Sequence, residues 1–144
     1  MDQNISTSSA IHKEPYKETR PWGNFVEFVK NQLCTVKIIT VEKGQAFSLQ
    51  YHEDRDEFWR IISGNGVAVV GGVRKEIVVG DDYFVPRKSL HRIEAGGEDV
   101  MLLEIAYGEF DENDIVRVED KYNRPSQPGN PDQPSQIDQS GQEK

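Results

Sequence analysis

An all-β fold, a two-sheet sandwich or small barrel, is predicted by three features of this 144-residue chain. Short apolar runs alternate with polar residues at a period of two, glycine-rich turns break them at close intervals, and no segment carries a long helical apolar period. The first run is 25–29, and residues 34–41 follow with Cys34 inside the alternating pattern. Runs 47–51 and 57–62 flank the polar connection Glu53-Asp54-Arg55-Asp56. The turn Gly64-Asn65-Gly66 leads into 67–70 and then 73–79, and runs 83–85, 91–93 and 100–107 complete the series. Asp111-Glu112-Asn113-Asp114 favours a cap, so a short helix or turn is expected there.

Length allows one domain. The hydrophobic fraction is 35%, and the shortfall is concentrated at the ends. Residues 125–144 contain no aromatic side chain and a single aliphatic one, Ile137. Such a segment cannot bury enough apolar surface to offset its ordering entropy. The organisation expected is a flexible segment 1–17, a domain over 18–124 and a disordered Pro-rich tail 125–144. Pro125, Pro128, Pro131 and Pro134 fall every third residue, a polyproline II rhythm within that solvated tail. A net charge of −8 argues against nucleic acid, which needs clustered cations. The polar N-terminus does not resemble a secretory leader, and no apolar stretch approaches a membrane span. One cysteine excludes an internal disulfide and fits a reducing compartment, so a cytoplasmic protein is expected. His12 reads as a surface residue, and Trp22 and Trp59 as packing.

The chemistry lies in two stretches, 44–64 and 80–91. The first sets Gln50, His52 and Glu57 between two glycines, and the second adds His91 after Pro86. Alternation puts Ser48, Gln50 and His52 on one strand face and Arg55, Glu57 and Trp59 on one face of the next. A hairpin would set His52 beside Glu57, while His91 must arrive from a non-local strand. Two imidazoles and a carboxylate suit one borderline divalent ion, with zinc first and cobalt, manganese or iron as alternatives.

These stretches resemble the two cupin motifs, with Gln50 at the usual first His, Lys88 at the usual Gly and Ala95 at the usual final Asn. Arg20-Pro21-Trp22-Gly23, Ser48-Leu49-Gln50, Arg55-x-Glu57-x-Trp59 and the closing stretch 108–124 narrow the resemblance to the cupin domain of type II mannose-6-phosphate isomerases. Glu53 and Asp54 stand where that pattern usually carries two further histidines.

The resemblance implies a double-stranded β-helix, or jelly-roll, barrel. It implies a metal at Gln50, His52, Glu57 and His91, and a small sugar phosphate as substrate. Mannose 6-phosphate and fructose 6-phosphate would interconvert through an enediolate. Ser48 and Arg55 match phosphate-contacting positions, Arg124 resembles a second essential arginine, and Arg20 and Lys88 are further substrate candidates. Arg55 and Arg124 are expected to hold the phosphate. Asp54, Glu104 and a hydroxide on the metal are candidates for the base. A homodimer is expected. With no glycine-rich nucleotide loop and no room for a nucleotidyltransferase domain, isomerisation alone is expected. Two other functions fit the same ligands, an Fe(II) dioxygenase and a non-catalytic sugar- or metabolite-binding cupin.

Overall fold

The computed structural model describes residues 14–124, so the Pro-rich tail and all but four residues of the N-terminal segment lie outside the described residues. Among the described residues there are eleven strands and no helix. β1 (Tyr16–Arg20) and β2 (Gly23–Glu27) form an antiparallel hairpin in which Arg20 faces Gly23 across the Pro21-Trp22 turn. This hairpin belongs to a compact unit that ends at Gln32. The boundary expected between residues 17 and 18 falls inside β1, because Tyr-Lys-Glu-Thr-Arg has no apolar period to announce a strand.

The second unit begins at Leu33 and holds two antiparallel sheets. One orders β3 (Cys34–Val41), β10 (Val100–Tyr107), β5 (Glu57–Ser63) and β8 (Asp82–Val85). The other orders β11 (Val116–Glu119), β4 (Leu49–Tyr51), β9 (His91–Ala95), β6 (Gly66–Val70) and β7 (Val73–Glu76). Alternation turns Trp59, Ile61, Val100 and Leu102 of the first sheet toward Ala68, Ile93 and Ala95 of the second, and these form one buried cluster. Trp59, Leu102 and Ile93 are wholly inaccessible. The arrangement is the jelly roll expected, although its two sheets remain separate ladders and do not close into one continuous barrel.

Two local readings differ, and of the two forms expected at 111–114 the turn is the one found. The run 47–51 narrows to the three residues of β4. The run 73–79 ends at Glu76, after which Ile77 enters the core while Val78 and Val79 face solvent. Residues 111–114 form a turn, closed by Asp114 N donating to Asp111 O at 3.1 Å, and the chain goes on into β11, a strand too short for its period to stand out.

Both glycines of the turn 64–66 have a steric reason. A Cβ on Gly64 would lie 2.1 Å from the backbone oxygen of Asp99, and one on Gly66 would lie 2.0 Å from that of Glu94. Gly64 also has φ +97°, a conformation that side chains resist. The two residues let β6 approach the chain on either side of Gly96 and Gly97. Gly64→Ala is therefore expected to lower unfolding free energy by more than about 2 kcal/mol, read from urea denaturation.

Candidate metal centre

Glu57 opens β5, His91 opens β9, and His52 immediately follows β4. Gln50 is the registered partner of His91 across the β4–β9 ladder, which brings the first motif stretch onto the second. Lys88, left-handed at φ 65°, donates its backbone N–H to His52 O at 2.6 Å. The turn before β9 thus fixes the backbone of a ligand from another strand. The usual motif glycine is explained by that left-handed φ, and lysine here bears a modest conformational cost.

His52, Glu57 and His91 are buried, and one ligand atom from each lies within 4.8 Å of the others. His52 Nε2 is 3.1 Å from Glu57 Oε1, and His91 Nε2 is 3.8 Å from Glu57 Oε2. Each imidazole is oriented from behind by a carbonyl: His52 Nδ1 donates to Asp114 O at 2.6 Å and His91 Nδ1 to Ser89 O at 2.9 Å. With the proton held on Nδ1, Nε2 presents its lone pair to the cluster. Glu57 Oε2 and His91 Nε2 are buried and make no hydrogen bond that satisfies distance and angle. Two such acceptors facing each other are costly without a shared cation, so the residues present fit a divalent ion.

The electrostatics agree. Burial pushes the Glu57 carboxyl up, but contact with His52, the charges of both histidines and the bond from Arg55 outweigh it and hold the group at about 2. Burial pushes His91 down to about 4 against the pull of Glu57. Both groups are therefore in ligand form at neutral pH. Beside them Glu104 is raised to about 8, first by burial, then by the charge of Glu57 and a hydrogen bond toward it, against the opposing effects of Trp59 and Lys37. Its Oε2 accepts from Trp59 Nε1 at 3.2 Å, and the Trp59 ring meets His91 edge-on at 5.4 Å. Trp59 is thus packing for the ligands as well as for the core.

His52 and Glu57 of the cluster line a cavity of about 390 Å³. Gln50, Glu104 and Arg124 line it, as do Lys37 and Arg117, which sequence reasoning did not single out. Arg117 was legible only as a polar residue in a four-residue alternation, and Lys37 as a charge in a strand. Arg117 is pushed below its usual range by burial and then by the charge of Arg124, so two like charges share that side of the cavity. Arg124 in turn is held by Asp120, at 2.9 Å from Nε.

Several expected contacts fall elsewhere. Ser48 is fully buried and its hydroxyl bonds Gln50 Oε1, which makes it a support for Gln50 and not a phosphate contact. Arg55 is consumed locally. Its Nε donates to Glu57 Oε1 at 2.9 Å, Nη2 lies 3.2 Å from His52 Nε2, and Nη1 donates to Asp111 O at 3.0 Å. Its face rests 4.5 Å from the Phe110 ring centre. Replacing Arg55 would therefore disturb the ligands as well as any substrate contact. Lys88 is exposed and outside the cavity lining, as are Glu53 and Asp54, the two carboxylates that stand at usual histidine positions. Arg20 stays within the hairpin, 2.6 Å from Glu18 and over the Phe25 ring.

The family described as mannose-6-phosphate isomerase C-terminal matches residues 5–120. The chain belongs to that family. A mannose-1-phosphate guanylyltransferase of Klebsiella pneumoniae is 35% identical over 126 residues, covering 86% of this chain and 26% of the relative. One from Escherichia coli is 36% identical over 126 residues, with the same coverage of 86% and 26%. The family member described here thus spans about a quarter of the length of the curated relatives it matches. An uncharacterized conserved protein with a double-stranded β-helix domain, also from Klebsiella pneumoniae, superposes with TM-score 0.54 at 17% identity, over 75% of this chain and 87% of the other. That likeness confirms the cupin fold. No helix among the described residues is long and apolar enough to cross a membrane.

In the metal-free protein the Glu104 carboxyl is protonated more readily folded than unfolded, where its value is 4.5. Its stabilising contribution is complete below 4.5 and is lost as pH rises through about 8. Because His91, held at about 4 against 6.5 unfolded, pulls the other way up to 6.5, urea unfolding is expected to show falling stability from about 6.5 to 8, and Glu104→Gln should flatten that slope. An unchanged slope in that variant would remove Glu104 as its source.

Proposed function

We propose that this domain binds one divalent ion, zinc in the first instance, through His52, Glu57 and His91 with Gln50 as a fourth ligand, and interconverts mannose 6-phosphate and fructose 6-phosphate. The observation that carries the reading is a buried two-histidine, one-carboxylate cluster whose His52 and Glu57 line a cavity that also presents Lys37, Arg117 and Arg124. When bound, the ion supplies Lewis acidity toward the sugar's carbonyl oxygen. A carboxylate and three neutral ligands leave that end of the cavity net positive, which suits an oxygen-rich substrate.

Arg117 and Arg124 hold the phosphate. Their mutual repulsion is relieved by a dianion, and arginine forks match phosphate geometry. Arg55 orients His52 and Glu57. Isomerisation proceeds through an enediolate, with a proton leaving C2 of the aldose and returning at C1 of the ketose. Glu104 is our candidate to carry that proton: it lines the cavity and lies against Glu57, and the charge of a bound cation beside it would draw its carboxyl back from about 8 toward the ionised form a base needs. Asp54, on the exposed loop, is not. Homodimerisation is part of the same reading and is carried by the family alone.

The deciding measurement is an isomerase assay on protein stripped of metal and reloaded with Zn, Co, Mn or Fe. Metal-dependent turnover that disappears in His91→Ala is expected. Stoichiometric ion binding without turnover under any metal would leave a binding module, and oxygen consumption with Fe(II) would leave the oxygenase. Arg124→Ala and Arg117→Ala should each raise KM for the sugar phosphate by about 10–100-fold, the loss of one charge-assisted contact, with metal stoichiometry unchanged. An unaltered KM in both would move the phosphate to another part of the cavity.

A further inference from the structure

Resting on the metal reading above, we infer that Asp114 is the positioning residue that sets the affinity of the centre, acting through His52. Four bonds converge on it from the loop after β4. Its backbone oxygen receives His52 Nδ1 at 2.6 Å and, more weakly, Arg55 Nη1 at 3.5 Å. Its side chain receives Glu53 N at 2.8 Å on Oδ1 and Asp54 N at 3.1 Å on Oδ2. The carboxylate thus grips the two amides next to the ligand, and so registers its own carbonyl against the ring it orients. Its own loop is fixed in turn, because Asp114 N donates to Asp111 O at 3.1 Å and Arg55 Nη1 donates to the same oxygen at 3.0 Å.

The geometry also gives Glu53 and Asp54 a role. Both side chains are exposed, and what the site uses at these positions is the pair of backbone N–H groups. Ligand tautomer and ring direction are what such outer partners control, and their loss costs metal affinity. A carbonyl alone would persist in any variant at 114. The grip that aims it depends on two acceptor oxygens, which only a carboxylate supplies in full.

The test uses the full chain, with Co²⁺ and Zn²⁺ titrated against a chromophoric chelator. Asp114→Ala is expected to weaken binding about 10–100-fold. Asp114→Asn, which keeps one acceptor and turns a donor toward the other amide, should fall between. A residue that merely stabilised the loop would not move the His52 tautomer, so ¹⁵N NMR of the metal-free imidazole is the second readout. It should show His52 shifting from the Nδ1–H form toward the Nε2–H form in Asp114→Ala. Unchanged affinity or an unchanged tautomer in a folded variant overturns the inference. Should Asp114→Ala fail to fold, Asp114→Asn carries the same two readouts, and parental values there overturn it equally. A parent chain that binds neither ion overturns the metal reading and this role together, whereas a parent that binds normally isolates Asp114.

Discussion

The burial of one carboxylate organises the second unit of this protein. Glu57 is 1% exposed at the mouth of a central strand, and an ionised carboxyl taken out of water is tolerated only when opposite charge and hydrogen bonds surround it. Arg55 from the preceding loop, His52 from beyond β4 and His91 from β9 supply that surround. His52 and Arg55 share the loop between β4 and β5 and His91 opens β9, so satisfying Glu57 requires that loop, β5 of one sheet and β9 of the other to be in place at once. The core beneath, centred on Trp59, is the platform that makes this convergence possible.

The same carboxylate divides the labour of its neighbours. By staying ionised it pushes Glu104 toward the protonated state, so two carboxyls in one cavity take opposite forms near neutral pH. Environments that separate paired acids in this way are how sites distribute ligand and proton-carrying roles. On the cationic side, Arg117 and Arg124 are crowded together, and Arg55, the residue whose motif position most suggested substrate contact, is spent on the ligands.

Much of this could be read in the chain. The strands with clear alternation, Cys34 to Val41 and Val100 to Tyr107, appeared where expected: β10 buries Val100 and Leu102 in the core and β3 turns Ile39 and Val41 to it, while Val36 and Ile38 on the other face of β3 are exposed. Of the four metal-ligand candidates, Gln50, His52 and Glu57 were legible because their spacing is set by a strand period and a turn, both local quantities, whereas His91 was legible only through the second motif stretch. What escaped depends on contacts made across long sequence separations. β1 and β11 are short, with weak or no apolar period, and are recruited by pairing. Asp114 looked like a turn former, since its bonds to residues 52–54 bridge about sixty positions that no local pattern connects. Ser48 and Arg55 had the right residue type for phosphate but were claimed first by nearer partners.

One feature of the ladders bears on how the molecule moves. β10 is registered to β3 along eight consecutive pairs, whereas β4 meets β9 at the single pair Gln50–His91. The chain around β4 adds the Ala46–Glu94 bridge and bonds from Ala95 N to Gln45 O and from Lys88 N to His52 O, so this seam is laced at separate points and not along a continuous ladder. Its one registered strand pair is also a pair of candidate ligands, one on each side. An ion gripping both would act as a clasp across that seam. Occupancy of the centre and closure of that join would then be linked, each favouring the other.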